Sequence, residues 1–481
     1  MNTFKKSLRL VSCISLVSFL SSCAVGPNYE TPTMALAIDE VATPEDKALL
    51  DTWWLSFDDP ILSRLVERLA DENLQIAAAN ARVDAARANR RGATAGLLPS
   101  LAANFSNPEF RQSPNFPGPI GPLAEAGLAP LGAEVFDAGF DASWEIDVFG
   151  GQRRQTQRAE AQLDVTRATS DDTKLRVIAE LARNYIELRS LEAQRGVVMQ
   201  SIAIQRATLS IAESRQRAGL ASALDANRVR ADLLATEAKV PQLAIAERGA
   251  VAAIAVLLGT TVAAIESDLS ADAESSQDGL ARLSSVEVPV GLSSELLTRR
   301  RDIAFADAQL ATRSAELGIA TASLYPRFLL TGNRDQQSGS FSQLFNSSSR
   351  AWTLAPSIQW PLFAGGAIRA NKEAARAQLE AAEAEYRLAV LTAVADVEVR
   401  LVGYAQSQIR AQALETAAQD LEENVALAKR LVDLGLEDFQ VLLDTQRTQL
   451  AIDSQRVTSK ADALLQTVAL FKALGGGWES L

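Results

Sequence analysis

The sequence predicts a mainly helical protein that also carries membrane β-strands and contains an internal two-fold repeat. Three observations predict this class. Two stretches of some 66 residues have helical periodicity with no proline, two shorter stretches alternate apolar and polar residues, and matching motifs recur at nearly constant spacing. The 481 residues are enough for two or three ordinary domains or for one elongated architecture.

The N-terminus is typical of a bacterial export signal with a lipid attachment site. Three basic residues come first, namely Lys5, Lys6 and Arg9. An apolar run over residues 10–20 and a pair of serines then lead to Cys23. The stretch ending at Cys23 is similar to the lipobox, whose cysteine receives a diacylglyceryl group. We therefore expect cleavage after Ser22 and a covalent lipid on Cys23 as the only attached group. The alternative is that Cys23 is a small apolar residue in an uncleaved anchor.

Composition excludes several classes of function. The net charge of −12 argues against nucleic acid as a partner, because phosphate binding needs concentrated lysine and arginine. The chain has no histidine, which removes imidazole both as a general base and as a metal ligand. Its other cysteine, Cys13, lies within the expected signal, and no G-x-S-x-G pattern occurs. An enzyme is therefore disfavoured, and no metal site is expected.

Matching motifs show that two halves of the chain have the same parts in the same order. Three pairs lie 216 residues apart: AEAQL at 159 with ARAQL at 375, Gly219-Leu220 with Gly435-Leu436, and Leu258-Gly259 with Leu474-Gly475. Leu98-Pro99 and Tyr325-Pro326 lie 227 apart, because the first copy has a longer loop. We expect a signal (1–22), a lipidated segment (23–60), a first repeat (61–270), a linker (271–290), a second repeat (291–475) and a tail (476–481).

Each repeat is expected to contain one very long helix and one helix that returns beside it. The long helices span about 152–217 and 367–434. At 1.5 Å per residue each would be roughly 100 Å long, which indicates packing like that of a coiled coil. Gly219 and Gly435 end the long helices, and the return helices cover about 223–259 and 438–474.

Each repeat also carries a predicted strand pair, at about 100–149 and 327–362. Phe136–Val148 alternates without exception, with Phe136, Phe140 and Trp144 on its apolar side. Residues 352–362 alternate with Trp352 and Trp360 on one side, although two prolines weaken that strand. Weaker partner strands lie at 101–106 and 328–333. A half-buried soluble sheet would give the same alternation, but the exported, lipidated context favours a membrane barrel.

Four strands cannot close a barrel. An open edge in lipid leaves backbone groups unsatisfied, at a cost of several kcal/mol for each group. Known bacterial barrels begin at about eight strands. The chain is therefore expected to form an oligomer that pools strands from several subunits.

Ordered motifs along the mature chain resemble TolC-type outer-membrane factors, in particular the efflux lipoproteins of the NodT family. The motifs are CAVGPNYETP from Cys23, WWLSFDDPILSRLV from Trp53, NLQIAAANARVDAARA from Asn73, WEIDVFGG from Trp144, LTRRRDIAFADAQL from Leu297, SIQWPLFAGG from Ser357 and LGLEDFQVLLDTQ from Leu434. One departure is Arg301, which stands where the family has proline before Asp302 and bears on where that helix starts.

The resemblance implies a homotrimer in the outer membrane of a Gram-negative bacterium, anchored there by lipid. Three chains would build a 12-stranded barrel that continues as an α-helical tunnel into the periplasm. Residues 260–290 and the C-terminal tail would form a belt around the tunnel. The implied function is a passive exit duct for small molecules, which works with a periplasmic adaptor and an inner-membrane pump of the resistance-nodulation-division type.

The resemblance also implies roles for particular residues. The turns between paired helices match the periplasmic tips that meet the adaptor: Gly219, Leu220, Ser222, Gly435, Leu436, Glu437 and Asp438. Helix capping alone would explain the same residues. Asp444 matches a carboxylate that lines the closed periplasmic aperture, whereas Val441 replaces a second aspartate of some members. A solvated helix carboxylate is the alternative for Asp444.

Two other functions remain open at this point. The same fold serves as the outer-membrane channel of type I protein secretion. A lipidated coiled coil that tethers the envelope without conducting would share the long helices but would have no membrane strands. The proline-rich loop 114–132 is expected to be extracellular.

Overall fold

The structure is a computed structural model that describes residues 24–32, 49–111, 113–115, 120–127, 130–219, 222–270, 279–283, 288 and 299–479. The predicted cleavage and lipid site at Ser22 and Cys23 lies outside the described residues, as do Leu220, most of the linker 271–290 and the last two residues of the tail. The chain divides into two compact units. The first contains Met1–Pro32, Asp84–Asp164 and Asp307–Glu385, and the second contains Thr33–Val83, Val165–Ala306 and Tyr386–Leu481.

Helices make up most of the described chain. In order they are α1 (Pro60–Glu72), α2 (Leu74–Ala95), α3 (Ile120–Glu125), α4 (Gly151–Arg217), α5 (Ala223–Glu237), α6 (Lys239–Leu257), α7 (Val262–Ser270), α8 (Gly279–Arg282), α9 (Arg301–Ala322), α10 (Ala367–Asp433) and α11 (Phe439–Ala473). Short 3₁₀ turns cover Trp53–Phe57, Phe341–Gln343 and Ser347–Ser349. The strands are β1 (Ser100–Ser106), β2 (Glu109–Arg111), β3 (Gly132–Glu134), β4 (Phe136–Ile146), β5 (Arg327–Ser338) and β6 (Arg350–Gln359).

The two long helices are equal in length and related by the repeat. Helices α4 and α10 both have 67 residues, and both of their ends differ by the 216-residue offset read from the sequence. The prediction of two long helices is therefore confirmed. Helix α11 returns as one helix of 35 residues. The first return is split into α5 and α6 at Ala238, because Pro241 lacks the N–H that would bond to the carbonyl of Glu237.

The first unit is built on an antiparallel sheet of four strands in the order β1-β4-β5-β6. Ser100 faces Ser143 in the first hairpin, and Arg327 faces Gln359 in the second. These pairs correspond under the offsets of 227 and 216, so both repeats fold into the same hairpin with the same register. The predicted strand pair in each repeat is confirmed.

Two details differ from the predicted strands. Strand β5 continues to Ser338, beyond the expected end at Asn333. The sequence did not predict this length, because the last residues of the strand do not alternate between apolar and polar. Strand β6 keeps Pro356 inside it, which is tolerated because β6 is an edge of the sheet and one side of its backbone needs no partner within the subunit. It ends at Gln359, so Trp360 lies one residue beyond the strand.

The loop predicted at 114–132 has some structure of its own. Strands β2 and β3 pair next to the first hairpin and form a separate two-stranded sheet. Helix α3 lies between them in the chain. The sequence did not predict these elements, because short strands with fewer than four residues show no readable alternation.

The core of the second unit forms around the motif that begins at Trp53. The Trp53 ring is fully buried and stacks on Phe471 with ring centroids 5.5 Å apart. Asp59 caps α1 by accepting hydrogen bonds from the backbone N–H groups of Ile61 and Leu62. Its other oxygen accepts the Tyr185 hydroxyl at 2.9 Å, which joins α1 to α4. Burial raises the pKa of Tyr185, so this hydroxyl remains a donor.

Helix α9 begins at Arg301, the position where the resemblance led us to expect a proline. The Arg301 guanidinium lies 3.9 Å from the centre of the Trp478 ring and 3.7 Å from the Asp171 carboxylate. Proline could make neither contact. Arg301 thus contributes a cation–π contact between this helix and the C-terminal segment.

One helical stretch of the described chain, Ala223–Leu257, is long and apolar enough to cross a membrane by length and composition alone. It is divided at Ala238, and two of its acidic residues form ion pairs with arginines of other helices. Asp232 pairs with Arg447, and Glu237 pairs with Arg206. These pairs favour a role in packing between helices.

Candidate functional site

One face of the four-stranded sheet is apolar and exposed along most of its length. Because residues that face each other across strands share a side of the sheet, the register defines this face. Its large members are Leu101, Phe105, Phe136, Phe140, Trp144, Ile146, Phe328, Leu330, Trp352, Leu354 and Ile358. Trp352 is 76% exposed and Phe140 is 56% exposed. Arg334 and Gln336 interrupt this face toward the end of β5. The apolar surface over the rest of it indicates lipid contact, and the 11 residues of β4 are enough to span a membrane.

Two tryptophans anchor the ends of the hairpins to the helices that precede them. The indole Nε1 of Trp144 donates to the carbonyl of Leu97 at 3.0 Å. In the second repeat Trp360 donates to the carbonyl of Leu324 at 3.1 Å. The two contacts correspond under the repeat offsets. An indole with an apolar ring and a satisfied N–H is typical of the boundary between lipid and water.

The opposite face of the sheet is polar. It carries Ser100, Asn104, Asp137, Asp141, Ser143, Glu145, Thr331, Asn333, Asp335, Gln337, Thr353 and Ser357. Arg327 is the one basic residue that the four strands place on this face, and it forms an ion pair with Glu145. A barrel built from this sheet would therefore have a hydrated, acidic bore.

Arg154 holds the residues that follow the predicted lipid site in place within the first unit. This arginine is only 2% exposed. It donates to the carbonyls of Val25 and Gly26 at 3.2 and 3.0 Å, and to Oδ1 of Asn28 at 3.0 Å. Burial is the main cause of the lowered pKa of Arg154, and the neighbouring Arg153 lowers it further. Backbone and amide oxygens thus satisfy a buried cation in place of a carboxylate.

Close backbone contacts explain the small residues of this segment. Gly26 has a φ of +93°, and a Cβ there would come within 2.8 Å of the Cα of Gly318. Ala24 lies directly against Gly150, in the turn after β4. Tyr29 adds a hydrogen bond of 2.5 Å from its hydroxyl to Asp307 on α9. The motif that follows Cys23 therefore docks at the base of the sheet.

The predicted tip residues that the structure describes lie at the ends of capped helices. Gly219 and Gly435 have φ values of +77° and +72°, the left-handed conformation that ends a helix. After α10, the N–H of Leu436 donates to the carbonyl of Leu431 at 2.8 Å. Ser222 forms a capping box with Asp225, and Asp438 accepts from the N–H of Gln440. Capping thus accounts for both glycines, Ser222 and Asp438.

Capping does not explain the exposed leucine of the second tip. Leu436 is 68% exposed, and Glu437 beside it is exposed too. A leucine that a hydrogen-bonded turn leaves in solvent contributes little to folding. It is available for contact with another protein.

Asp444 lies near the second tip, and it contacts an arginine that is also bound by Asp232 of α5. Arg447, one turn further along α11, approaches Asp444 to 3.5 Å and makes two hydrogen bonds with Asp232 of α5. Its pKa is raised, chiefly by the hydrogen bond with Asp232. Val441 is partly exposed on the same helix. Asp444 is therefore one end of an ionic contact as well as an exposed carboxylate.

Several of these residues had no signal in the sequence. Arg154 is followed closely by Arg158, which is exposed on the same helix, and periodicity alone does not tell the two apart. Arg447 and Asp232 are far apart in the chain and carry no local motif. Within the described ranges, no group of three or more histidine, cysteine, aspartate or glutamate side chains could hold a metal ion.

Comparisons with known proteins agree with this geometry. The outer membrane efflux protein family matches residues 65–260 and 292–476. The pyoverdine export outer membrane protein OpmQ of Pseudomonas putida is 30% identical over 474 residues, which cover 98% of this chain and 96% of the relative. Nodulation protein T of Rhizobium leguminosarum is 26% identical over 95% of both chains.

A solved structure shows the same fold. The outer-membrane channel OprN matches with a TM-score of 0.81 and 30% identity, over 95% of this chain and 100% of that one. The expected resemblance, fold class and outer-membrane location are thereby confirmed. Because the family match spans most of both repeats, and a relative is 30% identical over nearly the whole chain, this protein belongs to the outer membrane efflux protein family.

Proposed function

We propose that three copies of this protein pool their sheets into one 12-stranded barrel, which serves as a passive exit duct for small molecules. The observation that carries the proposal is the sheet itself. Strands β1 and β6 are unpaired edges within the subunit, while the outer face is suited to lipid. In a bilayer these edges need partners, because lipid offers no hydrogen bonds.

The even number of strands supports a closed ring. Neighbours in the sheet run antiparallel from β1 to β6, so β1 and β6 point in opposite directions. Edge β6 of one subunit and edge β1 of the next would therefore pair in the antiparallel sense. Three subunits of four strands give twelve, well within the range of bacterial barrels.

Exposed apolar residues on the helices also support an oligomer. In the second unit, Ile245 and Val256 of α6 are largely exposed, as are Val399, Val402 and Ile409 of α10. Apolar surface of this extent on periplasmic helices would be costly in water. We assign it to contacts between subunits of the trimer.

We further propose that Cys23 carries a lipid in the periplasmic leaflet of the outer membrane. Its support is the Arg154 contact, which fixes the segment from Ala24 onward beside the turn that follows β4. A lipid on the preceding residue would then lie near the membrane boundary that Trp144 and Trp360 mark.

For partners, we propose a periplasmic adaptor at the tips and an inner-membrane pump of the resistance-nodulation-division type. Gly219, Leu220, Ser222, Gly435, Leu436, Glu437 and Asp438 form the proposed docking surface. The exposed side chain of Leu436 on a hydrogen-bonded turn is the feature best suited to such docking. We propose that docking moves the second hairpin, α10 and α11, outward and separates Asp444 from its symmetry copies.

The test is a deletion strain profiled against drugs, detergents and metal salts, together with conductance of the purified protein in planar bilayers. The proposal predicts conductance and hypersensitivity to small molecules, restored by the wild-type gene. It also predicts that Leu436→Asp restores neither resistance nor export while trimers form normally. Loss of protein secretion without hypersensitivity would favour a type I secretion channel, and absence of conductance would favour a non-conducting coiled coil.

A further inference from the structure

The two repeats of one chain meet in a strand pair, and a closed ring of subunits contains a second junction of the same kind. Within the subunit, β4 is the last strand of the first repeat and β5 is the first strand of the second. Strand β4 pairs with β5 along its whole length. Between subunits, β6 would be the last strand of one copy and β1 the first strand of the next. The internal junction is therefore a model for the junction between copies.

The two hairpins are similar enough for this transfer. Their strand pairs correspond under the offsets of 227 for the first strand and 216 for the second. Trp144 and Trp360 attach the hairpins to the preceding helix ends through equivalent hydrogen bonds. Because both hairpins keep one register and one attachment to the helices, the contact between successive hairpins should keep its register as well.

We propose that β6 of one subunit pairs with β1 of the next in the register of the β4–β5 junction. The inference rests on the proposed function, since these two edges meet only in a closed ring. Applying the offset of 216 to β4 and that of 227 to β5 converts each observed pair into a pair between subunits. The resulting strand pair, which we call the seam, joins Ser357 with Ser106, Ile358 with Phe105, Gln359 with Asn104 and Trp360 with Ala103 of the next subunit.

The transferred register keeps both faces of the sheet continuous across the seam. Ser357 would meet Ser106 of the next subunit, and both residues lie on the polar face. Ile358 would meet Phe105, and both of these lie on the apolar face. A slip of one residue in either direction would place Ile358 opposite a polar residue and break this match.

Two prolines bound the seam and disfavour slips of two residues. Pro356 directly precedes Ser357, and Pro361 directly follows Trp360. Neither proline has an N–H to donate to a ladder. A slip of two residues in one direction would place Pro356 inside the ladder, opposite Phe105 of the next subunit. A slip in the other direction would place Pro361 inside it, opposite Asn104.

The seam also explains a difference in burial between the repeats. Ile146 at the end of β4 lies opposite Phe328, and both side chains are half-buried. Their counterparts in the repeat are Leu362 and Leu101, which are 79% and 71% exposed. The seam would bring these two leucines together at its end, as the internal junction does with Ile146 and Phe328.

Four cysteine positions test the register, because the expected mature chain has no thiol other than that of the lipidated Cys23. Ser357→Cys with Ser106→Cys, and Gln359→Cys with Asn104→Cys, join residues that the register places opposite each other. The crossed combinations, Ser357→Cys with Asn104→Cys and Gln359→Cys with Ser106→Cys, report slips of two residues in either direction. Opposed residues have Cα atoms about 4.5–5.5 Å apart, within the range of a disulfide, whereas diagonal neighbours lie about 7–8 Å apart.

The purified protein is treated with a mild oxidant and unfolded, and its chains are then separated by mass without a reductant. Because β1 and β6 are opposite edges of the subunit's sheet, a disulfide between them must join two chains. We expect both in-register combinations to form covalent trimers at least about tenfold faster than the crossed combinations. A thiol reductant should separate these trimers again. The matched controls are the four single-cysteine variants, which should give no covalent trimer.

Separate outcomes overturn the inference. Faster cross-linking in a crossed combination would refute the register and identify the slipped one. Trimers that conduct but form no disulfide in either in-register combination would refute it too, while leaving the proposed duct in place. A wild type that stays monomeric would refute the proposed function itself, so the two failures are distinguishable.

One combination carries the test even if the other fails to assemble. Asn104→Cys removes a hydrogen bond to Asp137, which could prevent trimers from forming. Ser357→Cys with Ser106→Cys changes only two exposed hydroxyl groups. Its rate is then compared with that of Gln359→Cys with Ser106→Cys, which keeps Asn104.

Discussion

Arg447 of α11 makes two hydrogen bonds with Asp232 of α5, at 2.9 and 2.7 Å, and these bonds join the helices that follow the two tips. The same guanidinium approaches Asp444 on its own helix. Close by, Arg228 of α5 donates to Gln440 of α11 at 3.2 Å. If docking moves the second hairpin away from the first, these polar contacts must break, together with the hydrogen bond of 3.3 Å that Gln446 of α11 donates to Thr208 of α4. We therefore expect them to stabilise the closed state of the duct.

Arg447→Ala should raise the conductance of the purified channel. The pair is exposed, so it contributes up to about 1 kcal/mol, which corresponds to about fivefold in the ratio of open to closed channels. Arg410→Ala is the control, because Arg410 forms a similar exposed pair with Asp462 between α10 and α11. Planar-bilayer recordings compare the variants. Equal conductance in the wild type and Arg447→Ala would show that this contact does not hold the duct closed.

Arg154→Met should release the segment that follows the lipid site. The change removes the buried guanidinium that donates to the carbonyls of half-buried Val25 and exposed Gly26, at a cost of about 1–3 kcal/mol. Hydrogen exchange and limited proteolysis of residues 24–32 measure the release. Arg158→Met, at an exposed position one turn along α4, should have no effect. Protection of residues 24–32 that survives Arg154→Met would contradict the assigned role.

Trp144→Phe and Trp360→Phe should weaken the barrel to a similar degree, because each removes the equivalent hydrogen bond to a helix end. We expect about 0.5–1.5 kcal/mol for each variant, measured by urea unfolding of the trimer in detergent. Trp352→Phe serves as the control, since that indole lies on the same apolar face and is largely exposed. A larger effect at Trp352 than at the other two would indicate that ring size matters more than the N–H group.

Substitution by alanine should have opposite effects at a glycine inside a long helix and at a glycine in the turn that follows one. Gly435→Ala forces a side chain into a left-handed conformation and should destabilise the tip by about 1 kcal/mol. Gly196→Ala should stabilise by about 0.5–1 kcal/mol, because Gly196 lies inside α4 with open space around it. Thermal unfolding of both variants measures these changes as shifts in Tm. Stabilisation by Gly435→Ala would show that the tip does not keep this turn.

The sequence predicted the fold well where a regular pattern is repeated over many residues. Strand β4 was expected at Phe136–Val148 and ends only two residues earlier, at Ile146. There Asp147 leaves the strand and accepts hydrogen bonds from the N–H groups of Gln152 and Arg153 at the start of α4. The end of β5 was missed because Arg334 and Gln336 occupy positions on the side of the sheet that is apolar elsewhere.

Individual contacts were less predictable than the elements that carry them. Arg154 is a buried polar residue whose partners, Val25 and Gly26, come from a distant segment, and neither periodicity nor composition reports such pairing. The resemblance to a known family placed Asp444 and the tips, but it gave no reason to single out Arg447. Interactions between segments far apart in the chain require the folded structure.

The central claim is that each chain supplies one third of a closed barrel, and native mass spectrometry of the detergent-extracted protein tests it most directly. We predict a single species with three times the mass of the mature chain, and the same preparation should conduct in planar bilayers. A stable monomer that keeps its β-sheet signal in circular dichroism and does not conduct would contradict the claim.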